Sequence, residues 1–199
     1  MSEVGTVVLA AGLGSRFGSA PKLLAPLDGK PLVRHAAEAA LEAGPRPVVV
    51  VLGAHAEAVR ATLAGLDLIR IENPDYRTGL ASSLRAGLAA LPPRCTGAVI
   101  VLGDMPRVTA AHIDRLVSAF TEAAATPAAV VPVQDGRRGN PVLLNLRRLG
   151  EEIGRLAGDH GAGPLLRGRP DVLEIPGDTA TALDIDTPAG LAALSRGPA

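Results

Sequence analysis

The chain has 199 residues, the size of one α/β domain and enough to bury a substantial core. Its 20 Lys and Arg balance its 20 Asp and Glu, so no net charge draws it to nucleic acid or to an anionic membrane surface. Aromatic residues make up only 2% of the chain, which excludes the stacking platforms of proteins that bind single-stranded nucleic acid and leaves small molecules or proteins as the expected partners.

Apolar runs alternate with helical patterns along the chain, which predicts an α/β fold with a mostly parallel sheet flanked by helices. Strands are predicted at residues 4–10, 48–52, 66–71, 98–102, 128–133, 142–144, 172–175 and 182–185. Helices are predicted at 31–43, 54–64, 82–91, 109–125 and 151–156, with a last helix from Thr187. Thr109 is the expected N-cap of the fourth helix. Because no repeat or low-complexity linker interrupts this series, we expect one domain over residues 1–199.

A glycine-rich loop follows the first predicted strand. Gly12, Gly14 and Gly18 allow backbone N–H groups to approach a polyphosphate closely. Arg16 and Lys22 supply cationic side chains that can neutralise its charge. The loop therefore predicts a nucleotide ligand, with a flexible surface turn as the alternative.

Two better-known nucleotide loops do not fit this segment. A Walker A loop ends in Gly-Lys-Ser/Thr, whereas Lys22 stands between a proline and a leucine, so a P-loop ATPase is not expected. The dinucleotide fingerprint needs a third glycine where the chain has Phe17, and an acidic residue after the second strand, where the chain has Gly53. An NAD enzyme is therefore disfavoured.

Two serines, Ser82 and Ser83, stand at the start of the third predicted helix. Their hydroxyls and the free N–H groups of the helix start can contact an anion or the edge of a base. N-capping without a ligand is the alternative.

Cys95 is the single cysteine, so no internal disulfide can form and a reducing compartment is indicated. The N-terminus carries Glu3 rather than a basic targeting segment, and no apolar run approaches the length of a membrane span. We therefore expect a cytoplasmic protein.

Carboxylates are predicted at the same edge of the sheet as the glycine-rich loop, beyond the ends of the strands. Asp104 follows the strand at 98–102 after one glycine, and Asp184 and Asp186 belong to the segment at 182–188. Magnesium is held by one or two carboxylates together with substrate phosphates, so Asp104 and Asp186 are the candidate ligands, with Asp184 on the same face. Capping of a turn by Asp104 and of the last helix by Asp186 is the alternative for each residue taken alone.

The remaining polar clusters are less specific. Arg137, Arg138 and Asn140 form a basic turn that could contact a phosphorylated second substrate, although a solvated loop is the default reading of the arginines. The four histidines lack the spacing of a zinc site, and no Gly-x-Ser-x-Gly elbow supports a serine hydrolase.

The chain contains seven short motifs, each of which is weak alone: Leu9-Ala-Ala-Gly-x-Gly-x-Arg16, Lys22-Leu-Leu24, Gly79-Leu-Ala-Ser-Ser-Leu84, Gly103-Asp-Met-Pro106, Gly139-Asn-Pro141, Gly158-Asp-x-Gly-Ala162 and Asp184-Ile-Asp-Thr-Pro188. Because these motifs occur in this order, the chain resembles the MobA-like nucleotidyltransferases, and within them the molybdenum cofactor cytidylyltransferase (MocA) branch. The resemblance covers nearly the whole chain.

This resemblance implies a single Rossmann-like domain of the nucleotide-diphospho-sugar transferase type. The implied enzyme is magnesium-dependent: the phosphate of molybdopterin attacks the α-phosphorus of CTP and releases pyrophosphate, and a molybdoenzyme can then receive the cofactor. Its nucleotide-binding part would span about residues 1–110 and its acceptor-binding part about 127–190. The implied site comprises catalytic Arg16, Lys22 and Asp104, nucleotide-binding Leu9, Ala10, Ala11, Gly12, Gly14, Ser82 and Ser83, acceptor-binding Asn140 and Asp159, and metal-binding Asp104 and Asp186.

Two details of the motifs bear on the substrates. Guanylyl-transferring relatives tend to carry Leu-Ala-Gly-Gly in the first loop, whereas this chain has Ala11, which favours CTP over GTP. Family members commonly carry arginine after Gly-Asp-x-Gly-Ala, whereas this chain has Gly163, so Arg167 or Arg169 would have to replace that contact with the pterin. The alternatives are a cytidylyltransferase for a sugar or polyol phosphate, a guanylyltransferase for another phosphorylated acceptor, and a cofactor-binding chaperone without turnover.

Overall fold

The computed structural model describes residues 3–14, 17–18 and 20–195. In these ranges the strands are β1 (Glu3–Ala10), β2 (Pro26–Leu27), β3 (Lys30–Pro31), β4 (Val48–Leu52), β5 (Ile69–Glu72), β6 (Cys95–Leu102), β7 (Ala129–Gln134), β8 (Arg137–Arg138), β9 (Val142–Asn145) and β10 (Val172–Pro176). The helices are α1 (Leu32–Glu42), α2 (Ala56–Thr62), α3 (Leu80–Ala89), α4 (Ala110–Glu122), α5 (Leu146–Gly154), α6 (Gly163–Leu166), α7 (Thr179–Ala182) and α8 (Pro188–Ser195). None of these helices is both long and apolar enough to cross a membrane.

Eight strands of the described ranges form one sheet in the order β10, β7, β9, β6, β1, β4, β5, with β8 paired to β7. Strands β1, β4, β5 and β6 run parallel to one another, as do β7 and β10. Strand β9 lies antiparallel between β6 and β7, which the short apolar run at 142–144 did not reveal. The predicted α/β domain with a mostly parallel central sheet is confirmed.

Helices cover both faces of the sheet, which explains why its central strands are apolar along their whole length. All five residues of β4 are buried, as expected for a parallel strand that has no solvent face. Successive side chains point to opposite faces. Val8 packs in the core that contains Ile113 of α4, and Val7 packs in the core that contains Leu84 of α3. The sheet therefore provides a rigid base for the polar segments at its edge.

The strand order creates a crevice between the ends of β1 and β6. From β1 the chain continues to β4 and β5 on one side, and only then crosses to β6 on the other. Ligands of open α/β sheets bind at such a reversal, beyond the carboxyl ends of the strands. The two ends lie in register, since Leu9 pairs with Leu102 and Gly103 N donates to the Leu9 carbonyl at 3.0 Å. The glycine-rich loop and the turn before Asp104 are thereby neighbours.

The segment at 182–185 is not a strand, contrary to the expectation from its apolar pattern. Asp178 caps α7, accepting from Ala180 N at 2.9 Å and Thr181 N at 3.2 Å, so a short helix occupies 179–182 and ends where the strand was expected to begin. Beyond α7 the chain pairs with the turn after β6 through Ile185 N, which donates to the Asp104 carbonyl at 3.1 Å. This backbone hydrogen bond ties the segment to the sheet edge.

Candidate active site

The glycine-rich loop follows the end of β1, and at Gly12 its backbone is not covered by other described residues. An added Cβ at Gly12 would meet no heavy atom within 4 Å, so a ligand can approach the backbone there. Gly14 has φ +61°, and an added Cβ would lie 2.8 Å from Lys22 Cβ, so the loop packs closely on Lys22. Arg16, which was predicted to neutralise phosphates, lies outside the described residues, and its role stays a prediction.

Lys22 lies between the two carboxylates that were predicted to bind a metal. It begins a 3-10 turn, Lys22–Leu24, directly after the loop. Its Nζ lies 2.6 Å from Asp104 Oδ2 and 2.8 Å from Asp186 Oδ1. The side chains of Lys22, Asp104 and Asp186 are 10%, 21% and 34% exposed, so the cluster is shielded yet reachable from solvent. The fold thus brings together three predicted site residues from distant parts of the sequence.

Packing of the C-terminal segment carries Asp186 to this position. The Ile185 side chain is buried in a small apolar cluster, and its backbone N–H is bonded to the Asp104 carbonyl. Asp184, on the other side of Ile185, is exposed, whereas Asp186 contacts Lys22. The other buried members of the cluster are Phe17, Leu27 and Leu32. Of the two aspartates offered as a second carboxylate, the structure therefore brings Asp186 to the site.

The charge of Lys22 is secured by its partners. Burial alone lowers the pKa of Lys22, because it disfavours the ammonium form. The charges of Asp104 and Asp186 and the hydrogen bonds to them outweigh burial, and they raise the pKa of Lys22 above its ordinary value. Lys22 is therefore a cation at neutral pH.

Asp104 and Asp186 together have the donor chemistry of a site for a hard divalent cation. Both carboxylates contact one positive group, Lys22 Nζ, so their oxygens converge on a common point. The described residues contain no cluster of three or more His, Cys, Asp or Glu that would form a complete protein cage. Two carboxylates suit magnesium, which keeps several waters and takes further ligands from substrate phosphates. The residues present fit a divalent ion that is shared with a nucleotide.

A cavity of about 470 Å³ opens beside this cluster, within the size range of small-molecule sites. Ala10 does not line it, because its side chain points to the opposite face of the sheet from that of Ala11 and is buried in the core there. The predicted site residues that line the cavity are Leu9, Ala11, Gly12, Gly14, Lys22, Ser83, Asp104 and Asp159.

Of the two predicted serines, Ser83 lines the cavity and Ser82 lies behind it. Ser82 Oγ accepts from Asn73 Nδ2 at 2.8 Å and donates to the Gly79 carbonyl at 2.8 Å. Asn73 Nδ2 also donates to Ser83 Oγ at 3.0 Å. Ser82 thus stabilises the start of α3, and its nucleotide contact stays a prediction. Asn73, which no motif singled out, positions both hydroxyls.

Tyr76 and Arg77 line the same cavity, although the motifs did not point to them. The guanidinium carbon of Arg77 lies 5.2 Å from the centroid of the Tyr76 ring, which is a cation–π contact. The available signal was their position directly before the Gly79 motif, together with the fact that Tyr76 is the single tyrosine of the chain. Arg77 adds a second cationic side chain to the cavity wall.

A second cavity, of about 270 Å³, adjoins the first and shares Leu9, Leu80 and Leu102 with it. Its wall is mostly apolar, and the predicted acceptor residue Asn140 lines it. Asp159, the other predicted acceptor residue, lines both the first cavity and a wider cleft of about 540 Å³. Asn140 and Asp159 thus each line a cavity that adjoins the one of about 470 Å³ beside Lys22.

The structure distinguishes the two arginines that were offered in place of a family arginine at Gly163. Arg169 donates to the two carboxylate oxygens of Asp171 at 2.9 and 3.1 Å, and to those of Glu152 at 2.9 and 3.0 Å. Arg167 instead lines the wider cleft. Arg169 therefore has a structural role, and Arg167 is the one of the two that is placed to meet a ligand.

The loop that carries Asp159 is held against the start of α3 at Gly79. Gly79 has φ +114°, and an added Cβ would lie 2.2 Å from the carbonyl carbon of Gly158. Ala81 N also donates to the Gly158 carbonyl at 3.1 Å. This contact joins the helix that carries Ser83 to the loop that carries Asp159.

We expect Gly79→Ala to lower the free energy of unfolding by about 1–3 kcal/mol, because alanine is strained at this backbone conformation, and the clash with Gly158 adds to the loss. Urea denaturation followed by circular dichroism measures the change. Gly150→Ala in α5 is the control, since an added Cβ there meets no heavy atom within 4 Å and stability should be kept or slightly raised. Equal stability of the two variants would contradict the close contact at Gly79.

Residues 6–173 match the MobA-like NTP transferase domain. The chain belongs to the MobA-like NTP transferase family. It is accordingly a nucleotidyltransferase, and this type of domain implies a nucleoside triphosphate substrate. The family and the enzyme class that the seven motifs implied are confirmed.

Relatives of known structure or name cover nearly the whole chain. Nicotine blue oxidoreductase from Paenarthrobacter nicotinovorans is 35% identical over 187 residues, covering 91% of each chain. The crystal structure of Rv0371c from Mycobacterium tuberculosis H37Rv has a TM-score of 0.83 at 32% identity, covering 98% of each chain. A nucleotidyl transferase from Methanothermobacter, Mth528, shares the fold with a TM-score of 0.82 at 24% identity, covering 98% of this chain and 97% of that one.

A further structure of Rv0371c is a complex with manganese. It has a TM-score of 0.80 at 31% identity and covers 99% of this chain and 100% of that one. A relative of this protein therefore binds a divalent cation, in agreement with the donor chemistry of Asp104 and Asp186.

Proposed function

We propose that the protein is a magnesium-dependent CTP:molybdopterin cytidylyltransferase. The observation that carries the proposal is the convergence of Lys22, Asp104 and Asp186 beside the open glycine-rich loop. The cavity next to this cluster adjoins a second, mostly apolar one. The nucleotide would lie in the first cavity, bound by about residues 1–110, and the acceptor in the second, bound by about residues 127–190. The MocA-type motifs supply the identity of both substrates.

The roles of the side chains follow from charge and position. Gly12 leaves the backbone open to the triphosphate, Gly14 lines the same cavity, and Lys22 and Arg16 neutralise the phosphates. Asp104 and Asp186 would hold the magnesium ion, which when bound withdraws electron density from the phosphates and lowers the charge repulsion that opposes attack. The protein thus contributes mainly positioning and charge neutralisation.

The reaction forms one bond and breaks one. A phosphate oxygen of molybdopterin bonds to the α-phosphorus of CTP, and the bond from the α-phosphorus to the oxygen that bridges to the β-phosphate breaks, so that pyrophosphate leaves. A phosphate monoester is already anionic near neutral pH, so no side chain has to accept a proton. This agrees with a cavity wall whose described residues include no histidine.

The preference for CTP is assigned to Ala11. Its side chain is buried, lines the cavity and lies beside Gly53, whose neighbour Ala54 donates through N to the Ala11 carbonyl at 3.0 Å. The backbone is therefore fixed at this point, and the methyl group limits how closely a larger purine can settle against it.

We expect the wild type to use CTP and reject GTP, and Ala11→Gly to loosen this choice. One steric contact of this kind discriminates by about 1–3 kcal/mol, so the ratio of rates should fall by about tenfold or more. Competition assays with equal CTP and GTP measure the ratio. Ala10→Gly is the matched control, because it adds the same backbone freedom one residue earlier while its side chain faces the other core. A wild type that prefers GTP would refute the cytidylyltransferase assignment.

A substrate matrix tests the proposal as a whole. The four NTPs are each combined with molybdopterin and with several sugar and polyol phosphates, in the presence of magnesium, and pyrophosphate is measured. We expect release with CTP and molybdopterin. Release with a sugar or polyol phosphate instead would identify the alternative cytidylyltransferase, release with GTP would identify a guanylyltransferase, and pterin binding without release would identify a chaperone.

The 35% identity to nicotine blue oxidoreductase supports a second candidate, an oxidoreductase. The sequence disfavours it, because Phe17 stands where a dinucleotide loop needs glycine and Gly53 stands where an acidic residue would bind the ribose. Oxidation of NADH or NADPH by the purified protein, followed by absorbance with a quinone-type dye as acceptor, tests this candidate. Turnover there, together with no pyrophosphate release from any NTP, would favour it.

A further inference from the structure

One ammonium group stands where the divalent ion is expected. Lys22 Nζ contacts Asp104 Oδ2 at 2.6 Å and Asp186 Oδ1 at 2.8 Å, and these carboxylates are the pair that fits the ion. Ligand oxygens lie about 2.0–2.1 Å from magnesium. The ammonium and the ion therefore cannot both sit between the two carboxylates in this geometry.

We propose that Lys22 is an internal competitor of the divalent ion, which weakens the binding of metal alone and favours metal that enters together with the nucleotide. The proposal rests on nucleotidyl transfer as the reaction, and it is independent of the choice of CTP and of the acceptor. In the nucleotide-free protein, Lys22 Nζ occupies the position between the carboxylates. In the substrate complex, the triphosphate draws the ammonium to itself.

The charges give the reason for the competition. Among the described residues, one ammonium against two carboxylates gives this cluster a net charge of −1, so it attracts a cation more weakly than the same two carboxylates would without the ammonium. A divalent ion that enters alone must displace the ammonium from two short ion pairs. The ammonium then lies close to another cation, in a site that is only partly exposed to solvent. A nucleotide removes this penalty because its phosphates supply new partners for Lys22 and further ligands for the metal.

The Lys22 side chain can reach both the two carboxylates and a triphosphate bound at the glycine-rich loop. Its main chain is fixed, since Gly14 packs against its Cβ and Ala25 N donates to its carbonyl at 3.1 Å. The long, rotatable side chain lines the same cavity as Gly12 and Gly14. The ammonium can therefore swing from the carboxylates to phosphates on the glycine-rich loop without a backbone movement.

Manganese binding to the nucleotide-free, full-length protein tests the proposal. The affinity for Mn²⁺ is measured by electron paramagnetic resonance or calorimetry for wild type, Lys22→Met, Lys22→Gln and Lys22→Arg. We expect the two neutral variants to bind Mn²⁺ at least about tenfold more tightly than wild type, or about 1.4 kcal/mol. Lys22→Arg retains a cation and should stay weak. Adding Asp104→Asn to Lys22→Met should remove the gain, which locates the ion.

Lys30→Met is the matched control. Lys30 is the other lysine of the chain and forms its own ion pair, with Glu38, but it does not line the cavity. This variant should bind Mn²⁺ as wild type does. Folding of each variant is checked by thermal unfolding, and Lys22→Gln, which can still donate to the carboxylates, is read out if Lys22→Met fails to fold.

Equal or weaker Mn²⁺ binding in folded Lys22→Met or Lys22→Gln overturns the proposal, as does equal tightening in Lys30→Met. These measurements contain no nucleotide and no acceptor. If the neutral Lys22 variants gain Mn²⁺ affinity but the wild type transfers no cytidylyl group to molybdopterin, the proposed substrates alone are refuted. If the wild type transfers the group but the variants show no gain, the competition alone is refuted.

Discussion

Asp104→Ala will abolish nucleotidyl transfer, with an expected loss of about 10³-fold or more, because it removes a carboxylate of the proposed metal site and one of the two partners of Lys22. The fold should stay intact. The contact that ties Ile185 to this turn uses the Asp104 carbonyl, which the substitution leaves in place. Pyrophosphate release under saturating CTP, molybdopterin and magnesium measures the loss.

Asp184→Ala is the control for this experiment. Asp184 lies two residues before Asp186 and has the same carboxylate side chain, but it is exposed and does not line the cavity beside Lys22. We expect its rate to be near that of wild type. A rate for Asp104→Ala within a few-fold of wild type, or equal losses in both variants, would falsify the metal assignment.

Lys22→Ala is expected to lower the rate of transfer by about 10²-fold or more, the effect of removing one positioned charge contact in a transition state. The same loss is expected for Arg16→Ala. Single-turnover kinetics with preformed metal–CTP complex separates this loss from weaker binding. Lys30→Ala, which removes the other lysine and its surface ion pair, should leave the rate unchanged.

Two measurements on Lys22 variants separate the two roles that we assign to this residue. Its removal should tighten the binding of metal alone and slow the chemical step, since the same ammonium competes with the ion before catalysis and neutralises phosphate during it. A rate for Lys22→Ala close to that of wild type would show that this ammonium does not neutralise phosphate in the transition state.

The fold and much of the site could be predicted from the sequence because local signals and sheet geometry agree. The run of valines in β4 predicted a buried parallel strand, and all of it is buried. The glycine-rich loop and Asp104 were predicted at one edge because both directly follow strands, and the register of Leu9 with Leu102 brings them together. Such arguments need only the direction of neighbouring strands.

Residues whose position depends on tertiary contacts could not be predicted in this way. Asp186 reaches Lys22 because Ile185 is buried and its N–H bonds to the Asp104 carbonyl, not through the strand that its apolar neighbours suggested. The hydrogen bond from Asn73 Nδ2 to Ser82 Oγ joins residues nine apart, and no motif of the sequence indicated it. A polar side chain shows its type in the sequence, whereas its partner depends on the packed structure.

The fate of the phosphates of CTP tests the central claim most directly. The protein is incubated with magnesium, molybdopterin and CTP that carries ³²P at either the α or the γ position, and the products are separated. We predict that the α label appears in the pterin product in the same amount as the γ label appears in pyrophosphate, and that Asp104→Ala forms neither. Transfer of the γ label to the acceptor, or pterin binding with both labels left in CTP, would contradict nucleotidyl transfer to molybdopterin at this site.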